Sequence, residues 1–237
     1  MAAERDRREE LDSVMATVAA GIAHEVRNPL NAVQINLRIL EEEVRRLEPL
    51  PTAQVHTLLA KIGNEIRSLD NFVAEFLRFA RPPKPRLETI AVRELLTDLV
   101  AFIGPESGRR RLTLALHADE GPATIAADPF QLKHALLNLV LNAFQACGTA
   151  GNVAIVTGGG ADRLRIAVTD DGPGIPPDVL PRVFDAFFTT REGGTGLGLP
   201  ITRRIAEEHG GSLVLACPPG GGTVATLELP VGGARTR

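Results

Sequence analysis

Ala20-Gly21-Ile22-Ala23-His24-Glu25-Val26-Arg27-Asn28-Pro29-Leu30 decides how the first third of the chain is read. Apolar residues run through and beyond it in steps of three and four: Leu11, Met15, Val18, Ile22, Val26, Leu30, Val33, Leu37, Leu40, Val44 and Leu47. Sustained over this length, the spacing predicts one long amphipathic helix with a coiled-coil-like seam. His24 lies two residues past Ile22, about 200° around a helix of 3.6 residues per turn, so it points away from the seam. Asn28, four residues on, shares that outer face. Pro29 has no N–H for the carbonyl of Glu25, which favours a kink there. An exposed His beside a carboxylate at a built-in bend is a candidate reactive site. A solvated helix face is the plainer alternative.

Working outward, the charged run Glu4-Arg5-Asp6-Arg7-Arg8-Glu9-Glu10 reads as a solvated helix start or a linker. Downstream, Glu48-Pro49-Leu50-Pro51-Thr52 stops the helix. A second seam follows in Val55, Leu58, Leu59, Ile62, Ile66, Leu69, Val73 and Phe76, predicting a second helix antiparallel to the first. A lone hairpin covers only one side of each seam. The simplest completion is a homodimer forming a four-helix bundle, and the alternative is a hairpin packed on the rest of the chain. Arg81-Pro82-Pro83-Lys84-Pro85-Arg86 reads as a stiff extended linker. The expected division is therefore 1–81 helical, 82–88 linker, 89–231 a second domain and 232–237 a tail.

In that second domain the pattern predicts short strands at 90–92 and 123–126, and longer ones at 112–117, 153–157, 164–169, 212–216 and 223–229. Helices are expected at 94–103, from an Asp128 N-cap through Ala146, and from Leu199 to Glu208 before a His209-Gly210-Gly211 C-cap. This is an α/β layer, a mixed sheet with helices on one face.

Three stretches there carry chemistry. The helix after Asp128 is apolar nearly all round, yet His134, Asn138 and Asn142 fall four apart on one stripe flanked by Gln131 and Gln145. Buried amides without partners cost about 1–3 kcal/mol each, so the stripe implies a polar cavity beside the helix, or a network tying it to a neighbour. The strand ending at Asp170 runs into Asp171-Gly172-Pro173-Gly174, where the glycines let backbone approach a ligand and Asp170 can accept from an amine. Alone, that sequence is also an ordinary turn. Third, Phe184, Phe187 and Phe188 precede Thr189-Thr190-Arg191-Glu192-Gly193-Gly194-Thr195-Gly196-Leu197-Gly198-Leu199. A glycine-rich loop entering a helix N-terminus is a phosphate cradle, and its small residues suggest a mobile lid. Neither the P-loop spacing nor the Rossmann spacing is present.

Composition excludes several classes. The chain has 237 residues, 44% of them hydrophobic, with 26 basic against 29 acidic residues and a net charge of −3. No basic footprint for nucleic acid follows, and the absence of Trp and Tyr leaves few stacking platforms. No apolar run approaches the roughly 18 residues of a membrane span, and no secretory signal pattern opens the chain. Cys147 and Cys217 lack metal or redox spacing and read as small core residues in a reducing compartment.

Taken together, the motifs resemble those of sensor histidine kinases of two-component systems, in family order from Met15 to Pro230. His24-Glu25-Val26-Arg27-Asn28-Pro29-Leu30 resembles the phosphoacceptor box of nitrogen-regulation-type kinases. Asn138 and Asn142 match the asparagine box, Asp170 to Gly174 the first glycine box, Phe184 to Arg191 the phenylalanine box, Gly194 to Leu199 the second glycine box, and Gly222-Thr223 the last short box. The resemblance implies a dimeric phosphoacceptor hairpin followed by a gyrase-type ATPase fold. It implies ATP held by Asn138, Asn142, Asp170, Gly172, Gly174, Arg191, Gly194, Thr195, Gly196, Leu197, Gly198, Leu199 and Thr223, with magnesium on Asn142. It further implies phosphorylation of His24 assisted by Glu25, transfer to an Asp of a response-regulator receiver domain, and a place for Asn28 in dephosphorylating that regulator. The expected setting is cytoplasmic, as a soluble kinase or the inner part of a membrane-bound sensor. The alternatives are an ATPase of the same fold without histidine transfer and a silent ATP-binding scaffold. Three departures stand out: Arg191 where relatives often have Lys, Asp185-Ala186 for Glu-Pro, and Asp171 for Asn.

Overall fold

The computed structural model describes residues 30–31, 33–35, 37–42, 44–46, 52–80, 83–118, 120–191 and 194–232. His24, Glu25 and Asn28 lie outside the described residues. The chain forms two compact units, 1–83 and 84–237.

In the first unit the described residues from 30 to 46 are helical (α1), and α2 spans Thr52–Ala80. Leu59, Ile66 and Val73, spaced by seven, are buried together with Leu30. The intervening seam row is not: Ile62 and Leu69 remain 46% and 43% exposed, and Ile35, Ile39 and Leu40 are exposed in α1. Among the described residues, one row of the second seam is thus covered within one chain and the intervening row is not.

The second unit is a two-layer α/β sandwich. Its five-stranded sheet has the order β2-β4-β5-β7-β6, with β2 at Leu112–His117, β4 at Gly151–Gly159, β5 at Arg163–Asp170, β6 at Ser212–Ala216 and β7 at Thr223–Pro230. β2 and β4 are parallel and the other neighbours antiparallel. β1 (Glu88–Ala91) and β3 (Thr124–Ala127) pair with each other as a separate ribbon. One sheet face is apolar: Val153, Ile155, Leu164, Ile166, Val168, Leu227 and Leu229 are buried there under the helices. That face packs α3 (Val92–Arg110), α4 (Pro129–Cys147) and α5 (Gly198–Glu208), with α4 between the other two.

Local signals account for most boundaries. Asp128 caps α4 as expected, its carboxylate accepting from Phe130 N and Gln131 N at 3.0 Å, with Pro129 at the first helical position. The cap is tied to two distant segments. Arg86 N donates to its other oxygen at 2.9 Å, and Asp128 N donates to Nε2 of the buried His209 at 3.0 Å. His209 Nδ1 lies 2.8 Å from the Ile205 carbonyl, so that nitrogen carries the proton. Burial pushes the Asp128 carboxyl up, but the three backbone N–H groups outweigh it and hold it below the usual range.

Two expectations need correction. The helix read as 94–103 continues through Pro105 to Arg110. Proline removes only the bond to the carbonyl four residues back, and the buried stripe Leu96, Leu99, Ile103, Ser107 carries the helix past it. Cys147 and Cys217 are half-buried rather than core residues. Cys147 sits at the core rim with its thiol 3.4 Å from Asp171 Oδ1, and Cys217 Sγ accepts from Ile175 N.

Candidate nucleotide site

α4 supplies the floor. Its apolar face buries Leu132, Leu136, Leu139, Val140, Ala143 and Phe144, which leaves the stripe of His134, Asn138 and Asn142 half-buried at the edge of that core. Asn138 Nδ2 donates to Gly198 O at 3.4 Å, tying the stripe to the first residue of α5.

The end of β5 supplies one wall. Asp170 faces the helix layer, opposite Val153 in the ladder. Its Oδ1 accepts from Gly172 N at 3.0 Å and Thr223 N at 3.2 Å. Burial raises its carboxyl above the ordinary aspartate value of 3.8, against the pull of those N–H groups. Asp171 goes the other way. Asn152 N and Nδ2 donate to it at 2.8 and 2.7 Å, and these bonds hold its carboxyl below the usual value. Gly222 N donates to Gly172 O at 2.7 Å, clasping the two loops. A Cβ on Gly222, at φ +81, would stand 2.1 Å from Asp170 O. Only glycine fits there.

The segment before α5 supplies the other wall. Phe187, at φ +66, donates its N–H to Gly196 O at 3.1 Å, closing the base of the loop. Arg182 stacks on Phe188 at 4.1 Å and Arg203 on Phe184 at 5.2 Å, which anchors the phenylalanine-rich stretch. Arg191 reaches across to α4: Nη1 donates to Asn142 Oδ1 at 2.7 Å and to Gln145 Oε1, and Nη2 to the Asn142 carbonyl at 3.3 Å. Partial loss of water lowers the guanidinium pKa, while the nearby Asp170 charge opposes the shift.

The structure therefore brings Arg191 onto Asn142, with Asp170 near enough for its charge to act on the guanidinium; Gly172 and Thr223 hold Asp170, and Gly174 backs on Gly222. Asn138 meets the same floor at Gly198. Leu197 is wholly buried and Leu199 packs on the core, so their side chains anchor the loop. Two of the loop amides read as phosphate donors already have partners: Gly194 N bonds the Arg191 carbonyl, and Leu197 N bonds Thr195 Oγ1 at 3.3 Å. Sequence reasoning left Asn152 out of the site, and named Gln145 only as a flank of the stripe and Gly222 only as part of the last short box. Gln145 had a signal, since three residues past Asn142 it shares the helix face.

An oxygen-lined helix edge beneath two glycine-rich loops, on a sheet covered by helices on one face, defines a gyrase-type ATP-binding domain. Residues 127–233 match the model of the histidine kinase-, DNA gyrase B-, and HSP90-like ATPase, and residues 14–84 that of the His Kinase A (phospho-acceptor) domain. Sensor histidine kinase ZraS of Salmonella typhimurium is 35% identical over 237 residues, covering 96% of this chain. The chain spans 50% of the length of ZraS. The catalytic domain of histidine kinase ThkA is 30% identical with a TM-score of 0.58, covering 62% of this chain and 97% of that one. ThkA in complex with the response regulator protein TrrA is 28% identical with a TM-score of 0.68, covering 96% and 65%. The chain belongs to the sensor histidine kinase family. Among the described residues no helix is long and apolar enough to cross a membrane.

Proposed function

We propose that this chain is an ATP-dependent protein histidine kinase that phosphorylates His24 and passes the phosphoryl group to an Asp of a response-regulator receiver domain. The observation that carries the reading is the reach of Arg191 from the glycine-rich loop onto Asn142 of α4, within range of the Asp170 charge at the end of β5. Asp170, held by Gly172 and Thr223, presents a fixed carboxylate suited to the adenine amino group. Arg191 supplies positive charge for the phosphates. The donor set also fits magnesium, a hard cation that takes oxygen ligands, because Asn142 Oδ1 already accepts from a cationic nitrogen. Magnesium bound there would offset charge on the transferring phosphoryl group.

At the other unit, a neutral imidazole nitrogen of His24 attacks the γ-phosphorus of ATP in line; the N–P bond forms as the bond from phosphorus to the bridging oxygen breaks, and ADP leaves with that electron pair. Glu25 hydrogen-bonds the second ring N–H, orients the ring and stabilises the cation that forms. Asn28, one turn on, orients a water for dephosphorylating the partner regulator. Residues 1–81 act as the dimerisation and phosphotransfer domain and 89–231 as the ATP-binding domain. The complex of the relative ThkA with a response regulator supports the partner class. A cytoplasmic setting accords with two free thiols.

The test is label incorporation from γ-labelled ATP. Wild type should acquire an acid-labile label that His24→Gln lacks and that moves to a receiver domain. Hydrolysis without acid-labile label would leave an ATPase of the same fold. Homodimerisation rests on the uncovered seam row, and light scattering should give twice the chain mass. Ile62→Lys with Leu69→Lys should halve it, and a wild-type monomer at micromolar concentration would defeat the dimer.

A further inference from the structure

We propose that Gln145 is a positioning residue that seats Arg191 on Asn142, so that Arg191 and a divalent cation are alternative partners of Asn142 Oδ1. This rests on the reading that the site takes a magnesium nucleotide. Asn142 Oδ1 receives Arg191 Nη1 at 2.7 Å, and Gln145 Oε1 closes on the same nitrogen. The second prong, Nη2 to the Asn142 carbonyl, fixes the plane of the guanidinium. Both ends of this contact are braced. Ala143 and Phe144, buried between the two amide residues, hold α4 to the core. Arg191 N donates to Thr189 Oγ1 at 3.1 Å, and Gly194 N donates to the Arg191 carbonyl at 3.3 Å, which shapes the turn that aims the side chain.

Magnesium demands a close, near-octahedral shell of oxygens, and two cations on one amide oxygen repel. Arg191 must therefore leave Asn142 Oδ1 when the metal takes it. Part of the metal's attraction goes into breaking a charge-assisted contact, and Arg191 is released toward the phosphates only when metal and nucleotide arrive together. Lysine has one nitrogen and no second prong, so it would hold the seat less firmly.

The experiment is calorimetric titration of the full chain with ADP, once with magnesium and once with EDTA. The readout is the ratio of the two affinities, and ADP is chosen because it lacks the γ-phosphate that Arg191 is proposed to meet. Gln145→Leu and Arg191→Ala should each raise the ratio by roughly three- to tenfold, the net worth of one hydrogen bond at a solvent-exposed edge. Arg191→Lys should fall between wild type and Arg191→Ala. Asn142→Ala should bring the ratio close to one. A Gln145 that merely supports α4 would change both affinities together and leave the ratio alone. Ratios within twofold of wild type for both Gln145→Leu and Arg191→Ala would overturn the competition while leaving the nucleotide site standing. Failure of wild type to bind ADP under either condition would remove the nucleotide reading, and the competition with it.

Discussion

The two walls of the nucleotide site are built on different principles. In the wall made by 170–174 and 222–223, backbone N–H groups close on backbone and on one half-buried carboxylate: Gly222 N on Gly172 O, Thr223 N and Gly172 N on Asp170 Oδ1, with no room for a Cβ on Gly222. In the wall made by 187–198, two backbone bonds, Phe187 N to Gly196 O and Gly194 N to the Arg191 carbonyl, close the loop, and side chains do the rest: the hydroxyls of Thr189 and Thr195 and the guanidinium of Arg191. Backbone contacts at van der Waals limits leave one arrangement. Side-chain hydrogen bonds at an exposed edge exchange for other partners at little cost, because each is worth only about 0.5–1.5 kcal/mol net. The first wall is suited to recognising an invariant ring, the second to following phosphates that change during the reaction.

The sharpest way to break this contrast is Gly222→Ala. Its Cβ would stand 2.1 Å from Asp170 O in a left-handed conformation. Overpacking and the backbone penalty together predict a loss of about 2–4 kcal/mol in urea unfolding. Adenine-nucleotide affinity should fall with it. An unchanged midpoint would mean the first wall yields as readily as the second.

Asp170→Asn tests the chemistry of the fixed wall with its shape kept, and should weaken ATP binding by roughly 10- to 100-fold. In wild type the same group sets a pH dependence. Burial raises the Asp170 carboxyl, so the folded chain takes up its proton before the unfolded chain does. Stability owed to this group therefore falls as pH rises between the ordinary value of 3.8 and the raised one, and is level above it. Nucleotide affinity runs the opposite way: it needs the carboxylate, and should be lost on acidification at a pH above that of an ordinary aspartate. Asp171, lowered by Asn152, contributes stability that persists above the ordinary value and goes only as pH falls through its lowered one. ADP titrations across mildly acid pH should show the loss in wild type, and Asp170→Asn should flatten the profile.

The smallest effect is expected at Gly198→Ala, on the side-chain wall. A Cβ there would sit 3.8 Å from Asn138 Cγ, an ordinary contact at a φ any residue adopts. Unfolding should shift by less than about 1 kcal/mol, toward stability if helix propensity decides. A loss as large as that of Gly222→Ala would erase the distinction between the walls.

Much of the domain was legible in the sequence because its causes are local. Alternation marked β2 to the residue, a short apolar run marked β6, Asp128 announced the start of α4, and the His134, Asn138, Asn142 stripe announced a polar edge. The second seam of the hairpin announced α2 in the same way. Period, cap and turn are properties of a few neighbouring residues, and they hold whatever the rest of the chain does.

What tertiary structure alone decided lies in pairs far apart in sequence. Asp170 and Asp171 are adjacent, yet one is raised by burial at the sheet end and the other lowered by Asn152, 19 residues back. The sequence pattern ends the helix at Ile103, but the core beneath Ile103 and Ser107 carries it through Pro105 to Arg110. The glycine-rich loop reads as a row of phosphate donors, while in the fold some of those N–H groups are engaged by the loop itself. Arg191 reads only as a positive charge. Its place on Asn142 and Gln145 required α4 and a loop 49 residues later to meet, and no local pattern encodes which oxygen a distant guanidinium will reach.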